Sequence, residues 1–397
     1  FVYRYLDQLL ASSDWYLRRK ARWFRMRAQS GDEEEKPDDD TQPARAYQQW
    51  FDAGLPDDEP APFIDTGLTD AMEKAIQRWR EDKTDENTLL VAGEKGSGKS
   101  MAARRLTRAL EKNDEGLRVV SVTVPPKTLA PEDVIALVAE ALDESLEEGP
   151  ASLVKNDEQR RPTLLVLDEA QNFFLARIGG LEGWRALLRL TNARLDNLFW
   201  LVLLNNQSWA YLCNVFGREY QFRNVVRVKR WGQSEIRSLI LSRHHLSGQT
   251  LRYDEVLLSS RGPEAGNVRN AEQRYFSLLW DACRGNPMAA LRLWLSSVKV
   301  TRRQVLVGLP AKPQGTAVEK AGENLLFVYA AIATHENLSS GEIVAATDLP
   351  ENVVRYALKA GFDAGFIRQS DDGRYRLVPL WYHTVINHLT RKNLLHE

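Results

Sequence analysis

The chain has 397 residues, of which 43% are apolar and 27% charged, and Lys+Arg 53 against Asp+Glu 54 leaves a formal net charge of -1. This length excludes a peptide or a staple-dependent mini-protein and leaves room for two to four packed domains. The charge balance excludes a global pull towards nucleic acid or anionic lipid, so any such attraction must be local. The only cysteines, Cys213 and Cys283, cannot build a disulfide framework or a zinc site, and no apolar run approaches the roughly 18 residues of a membrane span. A protein facing the cytoplasm is expected.

The first 30 residues hold seven Lys/Arg against two Asp, with Trp15, Tyr16, Trp23 and Phe24 interleaved among Arg18, Arg19, Lys20, Arg22, Arg25 and Arg27. Cations that meet anionic headgroups and rings that sit at their level suit peripheral contact of residues 1–30 with a membrane; a solvated basic helix is the plainer alternative. Gly31 to Asp40 carries seven acidic side chains against Lys36 and reads as a linker. Residues 1–60 are thus expected to be a basic aromatic helix and an acidic linker that tether a folded head.

Thr88 to Ala92 reads as a buried strand, Gly93-Glu94-Lys95-Gly96-Ser97-Gly98-Lys99-Ser100 follows at once, and helical spacing resumes at Met101. G-x-x-x-x-G-K-S between a strand and a helix is a phosphate-binding loop: its glycines let backbone N–H groups curl round a phosphate chain at a helix N-terminus. Residues Gly93 to Met101 are therefore the expected ATP-binding set, with Lys99 reaching the phosphates and Ser100 ligating Mg²⁺. A second strand, Thr163 to Leu167, ends in Asp168-Glu169. Asp168 is placed to hold Mg²⁺ through water, and Glu169 to orient and deprotonate an attacking water. Strands are expected at Leu117–Val124 and Leu198–Leu204, with helices at Pro131–Leu142 and Leu181–Ala193. Asn205, at the tip of the strand beside the phosphate loop, is read as a sensor of the γ phosphate, against the alternative of a turn residue.

This order of elements resembles the AAA+ branch of P-loop ATPases, including its origin-recognition, transposition-regulator and STAND-type relatives. The resemblance covers about residues 62–300 and is carried most specifically by Gly93 to Ser100 and Leu164 to Glu169. It implies an α/β fold with a helix-sandwiched parallel sheet over 61–230 and a helical lid over 231–315. It further implies ATP and Mg²⁺ as cofactors, a homo-oligomer, Asn205 as sensor 1, and Arg218, with Arg223 as rival, reaching a neighbouring subunit's nucleotide. Arg292, past Gly285-Asn286-Pro287, matches sensor 2. Gly262 to Asn270 departs from the family as an inserted loop before that last lid helix.

Residues 316–397 resemble a winged helix: three helices, a hairpin turning at Asp371-Asp372-Gly373, and a closing helix. From Val318 onward this segment has eight Lys/Arg against ten Asp/Glu, and its third helix offers only Arg355 and Lys359 as cations. Without a basic stripe it is a poor DNA reader, so a protein partner is favoured for it. The expectation is an ATPase that couples nucleotide-dependent assembly to conformational change in a protein partner near a membrane. A DNA-associated loader, using the winged helix or a basic channel through Arg223, Arg227, Lys229 and Arg230, is the alternative.

Overall fold

The computed structural model describes residues 41–51, 64–82, 86–113, 116–218, 221–258, 267–301, 303–313 and 315–395. The basic aromatic segment 1–30 and the acidic stretch 31–40 lie outside them. Among the described residues, no helix is long and apolar enough to cross a membrane.

Two helices, α1 (Thr41–Gln48) and α2 (Leu68–Asp82), precede the sheet. The chain then runs β1 (Thr88–Gly93), α3 (Lys99–Asn113), β2 (Arg118–Thr123), α4 (Pro131–Leu142), α5 (Pro150–Asp157), β3 (Thr163–Asp168), α6 (Glu182–Thr191), β4 (Leu198–Asn205), α7 (Asn206–Phe216) and β5 (Val225–Arg227). The strands pair in parallel in the order β2-β3-β4-β1-β5. Strands β1, β3 and β4 are apolar almost throughout because both faces of the sheet are covered, and alternate residues sort cleanly between the two layers. Leu90, Ala92, Leu165, Leu167, Trp200, Val202 and Leu204 pack on one face with Val134, Trp184, Leu187 and Trp209. Leu89, Val91, Leu164, Val166, Phe199, Leu201 and Leu203 pack on the other with Met72, Ile76, Trp79 and Leu106. This is the helix-sandwiched parallel sheet of a P-loop α/β fold.

The lid comprises α8 (Gln233–Leu246), β6 (Thr250–Tyr253), α9 (Glu255–Leu258), α10 (Val268–Cys283), α11 (Pro287–Ser297), β7 (Val298–Val300) and β8 (Gln304–Val307). It corrects the expectation at two places. The stretch taken as an inserted loop to Asn270 is already helical from Val268, because the Asn267 side chain accepts from the Arg269 amide at 2.9 Å and starts α10. The lid also carries a three-stranded sheet, β6-β8-β7, whose strands are too short to show a period of two in the sequence. Residues 41–51, assigned to a tether, are folded as well. Tyr47 and Phe51 are buried in the lid core, where the Trp294 indole donates to the Tyr47 hydroxyl at 2.9 Å and the Phe51 ring stacks against Trp294.

The C-terminal unit is α+β: α12 (Thr316–Glu319), α13 (Glu323–His335), α14 (Ser340–Thr347), α15 (Glu351–Asp363), the hairpin β9 (Ile367–Gln369) and β10 (Tyr375–Leu377), and α16 (Pro379–Arg391). Ser339 and Glu342 form the reciprocal capping box that starts α14. Leu338 bridges to Tyr375 beside the hairpin. This unit's core takes in Leu175 from the loop after β3, so it is packed onto the sheet domain.

Candidate functional site

Strand β1 lies inside the sheet, between β4 and β5, while the chain leaves it for β2 at the far edge. The loop after β1 therefore opens at the carboxyl edge of the sheet, where such folds place ligands. The register sets Gly93 opposite Asn205, with Asp168 ending the next strand over. Gly96 and Gly98 hold φ of +77° and +98°, which side-chain-bearing residues rarely adopt. A Cβ on Gly96 would also lie 2.6 Å from the Met288 Cβ. Helix α3 begins at Lys99 itself, so its amino end faces the loop.

The Lys99 ammonium is part-buried and donates to the Gly93 carbonyl at 2.7 Å and the Glu94 carbonyl at 3.0 Å. Burial lowers its pKa, and the carboxylates of Glu336 and Asp168 partly offset the drop. The buried Ser97 hydroxyl has no partner. Ser100 is half-buried behind Lys99, and Met101 is exposed on the first turn of α3. Asp168 accepts from the amide of Glu169 at 2.9 Å. Glu169 takes the left-handed conformation at φ +57°. Its pKa is raised, first by burial and then by Glu336 and Asp168, against the opposing pull of Lys95.

The other sensor and arginine candidates are placed differently. Asn205 is buried and its side chain is committed: it accepts from the Ser208 amide at 2.6 Å, capping α7, and donates to the Thr334 carbonyl at 3.4 Å. Ser208 also hydrogen-bonds that carbonyl. Arg218 is exposed just past the end of α7, and Arg223, Arg227 and Lys229 are exposed around β5. Arg230 pairs with Glu94 at 3.1 Å. Arg292 is exposed on α11, four residues after Met288 and so on the same face, and it acts electrostatically on Arg368 of the C-terminal hairpin.

Several contacts that assemble the site carry no motif. Asn286 caps α11 through the Ala289 amide and donates to the Lys95 carbonyl at 2.8 Å, while the Met288 amide donates to the Gly96 carbonyl at 3.3 Å. The Trp231 indole donates to the Ser97 carbonyl at 3.2 Å. The lid thus holds the phosphate loop through backbone carbonyls. From the other side the C-terminal unit inserts the turn that ends α13. His335 accepts from the Ala176 amide at 3.2 Å. The Glu336 carboxylate lies 3.4 Å from the Lys95 ammonium and accepts from the Gln171 amide nitrogen at 3.1 Å. Burial alone would raise the Glu336 pKa, but Lys95 and Lys99 bring it below the usual carboxylate value. Nearby, Lys127 is buried without a hydrogen-bond partner, and burial pushes its pKa down to about 8 despite the attraction of Glu342. The only sequence sign of this wall is the polar run His335-Glu336-Asn337 closing an apolar helix.

A strand–loop–helix with Lys99 beneath the loop and Asp168-Glu169 on the neighbouring strand but one defines a P-loop nucleotide-binding domain. Residues 82–209 match the family model described as AAA domain. No curated protein sequence matches the chain. Among solved structures, Cdc6p from Pyrobaculum aerophilum is similar at 14% identity and a TM-score of 0.41, covering 87% of this chain and 98% of that one. The ORC1 protein of Aeropyrum pernix in complex with DNA is similar at 16% and 0.42, covering 86% and 96%. The RuvB Holliday junction branch migration motor of Thermotoga maritima is similar at 14% and 0.32, covering 81% and 95%.

Proposed function

We propose that this protein binds and hydrolyses ATP with Mg²⁺ and converts the state of the site into movement of its C-terminal unit. The observation that carries the reading is the contact of three parts of the chain around one phosphate loop: the sheet, the lid at Asn286 and Met288, and the turn Thr334–Glu336. The residues fit the nucleotide: Gly96 and Gly98 keep the loop free of side chains, the Ser97 hydroxyl is unpartnered, and the part-buried Lys99 ammonium donates to two loop carbonyls. Gly93 to Ser100 would hold the phosphates, and Ser100 and Asp168 the Mg²⁺. When bound, ATP supplies the phosphoanhydride and Mg²⁺ the charge that draws it open.

The chain's own residues then have distinct tasks. Glu169, with its raised pKa, is the carboxylate that takes a proton from water. Asn205 transmits rather than touches: it ties the tip of β4 to the Thr334 carbonyl, so a shift at the carboxyl edge of the sheet reaches the C-terminal unit directly. Arg292 lies on the Met288 face of α11 and reports lid position. Arg218 is exposed, as a trans-acting arginine in a homo-oligomer must be.

The C-terminal unit, read as a winged helix, presents Tyr356 and Phe362 on α15 beside Arg355 and Lys359, a mixed surface better suited to protein than to phosphate. Residues 1–30 extend the reading to the cytoplasmic face of a membrane. A second reading, a DNA-associated loader, is favoured by the exposed cations Arg218, Arg223, Arg227 and Lys229 around the sheet's β5 edge. The test is ATP turnover of the protein alone, with duplex DNA, and with anionic liposomes, each at low and moderate salt, with Lys99→Ala as the control. Turnover lost in Lys99→Ala and indifferent to DNA is expected. Stimulation by DNA that fades with salt would replace the first reading with the second.

A further inference from the structure

The Glu336 carboxylate is the residue that the ATP reading leaves without a task. It comes from the C-terminal unit, yet its oxygen lies 3.4 Å from the Lys95 ammonium and accepts from Gln171, two residues past Glu169. It is also the carboxylate that acts most strongly on the part-buried Lys99 ammonium, ahead of Asp168. Of the charged groups facing it, Lys95, Lys99 and Arg376 attract it, while Glu169 repels it.

The placement is built into the fold. The residue sits at φ +61° and ψ -37°, a conformation that a side-chain-bearing residue holds only when its surroundings impose it. Those surroundings are the neighbouring turn contacts: Thr334 with Asn205 and Ser208, and His335 with the Ala176 amide. The loop lysines are thus already partly neutralised by an anion belonging to the protein itself. A polyphosphate brought to the same lysines would meet a buried carboxylate of like charge.

We propose that Glu336 is an internal anion that competes with nucleotide phosphate for Lys95 and Lys99, so that seating of the C-terminal turn and binding of nucleotide oppose each other. This rests on the ATP reading of the loop. By linkage, whatever lifts the C-terminal unit off the sheet tightens nucleotide binding, and nucleotide loosens the C-terminal unit to the same degree. A partner that grips this unit would in that way load the site.

The experiment measures affinity for a non-hydrolysable ATP analogue in the full chain, in Glu336→Gln, and in each with Lys99→Ala added. Exchange of the Ala176 amide, which reports docking of His335, is followed in the wild type with and without analogue. Gln keeps the size of Glu and the hydrogen bond to Gln171 while removing the charge. Binding tighter by on the order of tenfold in Glu336→Gln, abolished by Lys99→Ala, is expected, together with faster Ala176 exchange when analogue is added. Wild-type binding that Lys99→Ala abolishes but Glu336→Gln leaves unchanged would overturn the competition and spare the ATP reading. Slower Ala176 exchange on adding analogue would overturn it independently of any variant. Absence of binding to both folded proteins would overturn the ATP reading and the competition with it.

Discussion

The two walls of the site are made by opposite means. The phosphate-loop wall is local: one strand, eight loop residues and one helix start, with positive φ at Gly96 and Gly98 and cations from the loop itself. The C-terminal wall is a single turn, Thr334 to Asn337, brought against the loop across more than 200 residues of chain and offering a carboxylate and an imidazole. The local wall offers a glycine-rich loop at a helix start, a geometry that suits phosphate. The imported wall adds dependence on where another part of the molecule lies.

Three substitutions sharpen that contrast. The largest effect is expected beside the local wall, just past the end of β3: Glu169→Gln should lower ATP turnover on the order of a hundredfold or more while nucleotide still binds, measured by phosphate release beside equilibrium binding. Near-normal turnover would mean that another group accepts the proton. At the junction between the walls, Asn205→Ala removes the cap of α7 and the bond to the Thr334 carbonyl, and should cost about 1–2 kcal/mol of stability in denaturant unfolding. A cost near zero would show the junction to be slack.

The smallest effect concerns pH at the imported wall. His335 is fully buried, and burial, with Lys127 nearby, holds its pKa well below the ordinary value. The unfolded chain therefore takes up a proton below about pH 6.5 that the folded chain refuses, so stability present above that pH is lost as pH falls towards the folded pKa. His244, His383 and His388 are shifted the same way. The midpoint of thermal unfolding should fall on acidification below pH 6.5, and less steeply in His335→Gln than in the wild type. Identical slopes would remove His335 from the account.

Legibility in the sequence follows the same division. Strands β1, β3 and β4 are readable because they are buried on both faces, which leaves continuous apolar runs such as Leu198 to Leu204. The loop was readable because phosphate chemistry demands glycines at particular offsets from a lysine. The lid strands Val298–Val300 and Gln304–Val307 were not, being three and four residues long. Neither was Glu336, whose neighbours in sequence say helix end and nothing more. Its meaning comes from Lys95 and Gln171, which it meets only once the C-terminal unit has packed on the sheet domain. Asn205 was legible as a strand-end polar residue, but its bond to Thr334 depends on a unit more than a hundred residues away.

The docking of Tyr47 and Phe51 into the lid core has a mechanical consequence. The described chain begins at Thr41 in a helix that is anchored in the lid core through Tyr47, Phe51, Trp294 and His244. Because the same lid grips the phosphate loop through Asn286, tension on the amino-terminal end would travel along α11 to the loop carbonyls. A pull at one end of the chain and the seating of a turn near the other would thereby act on the same eight residues.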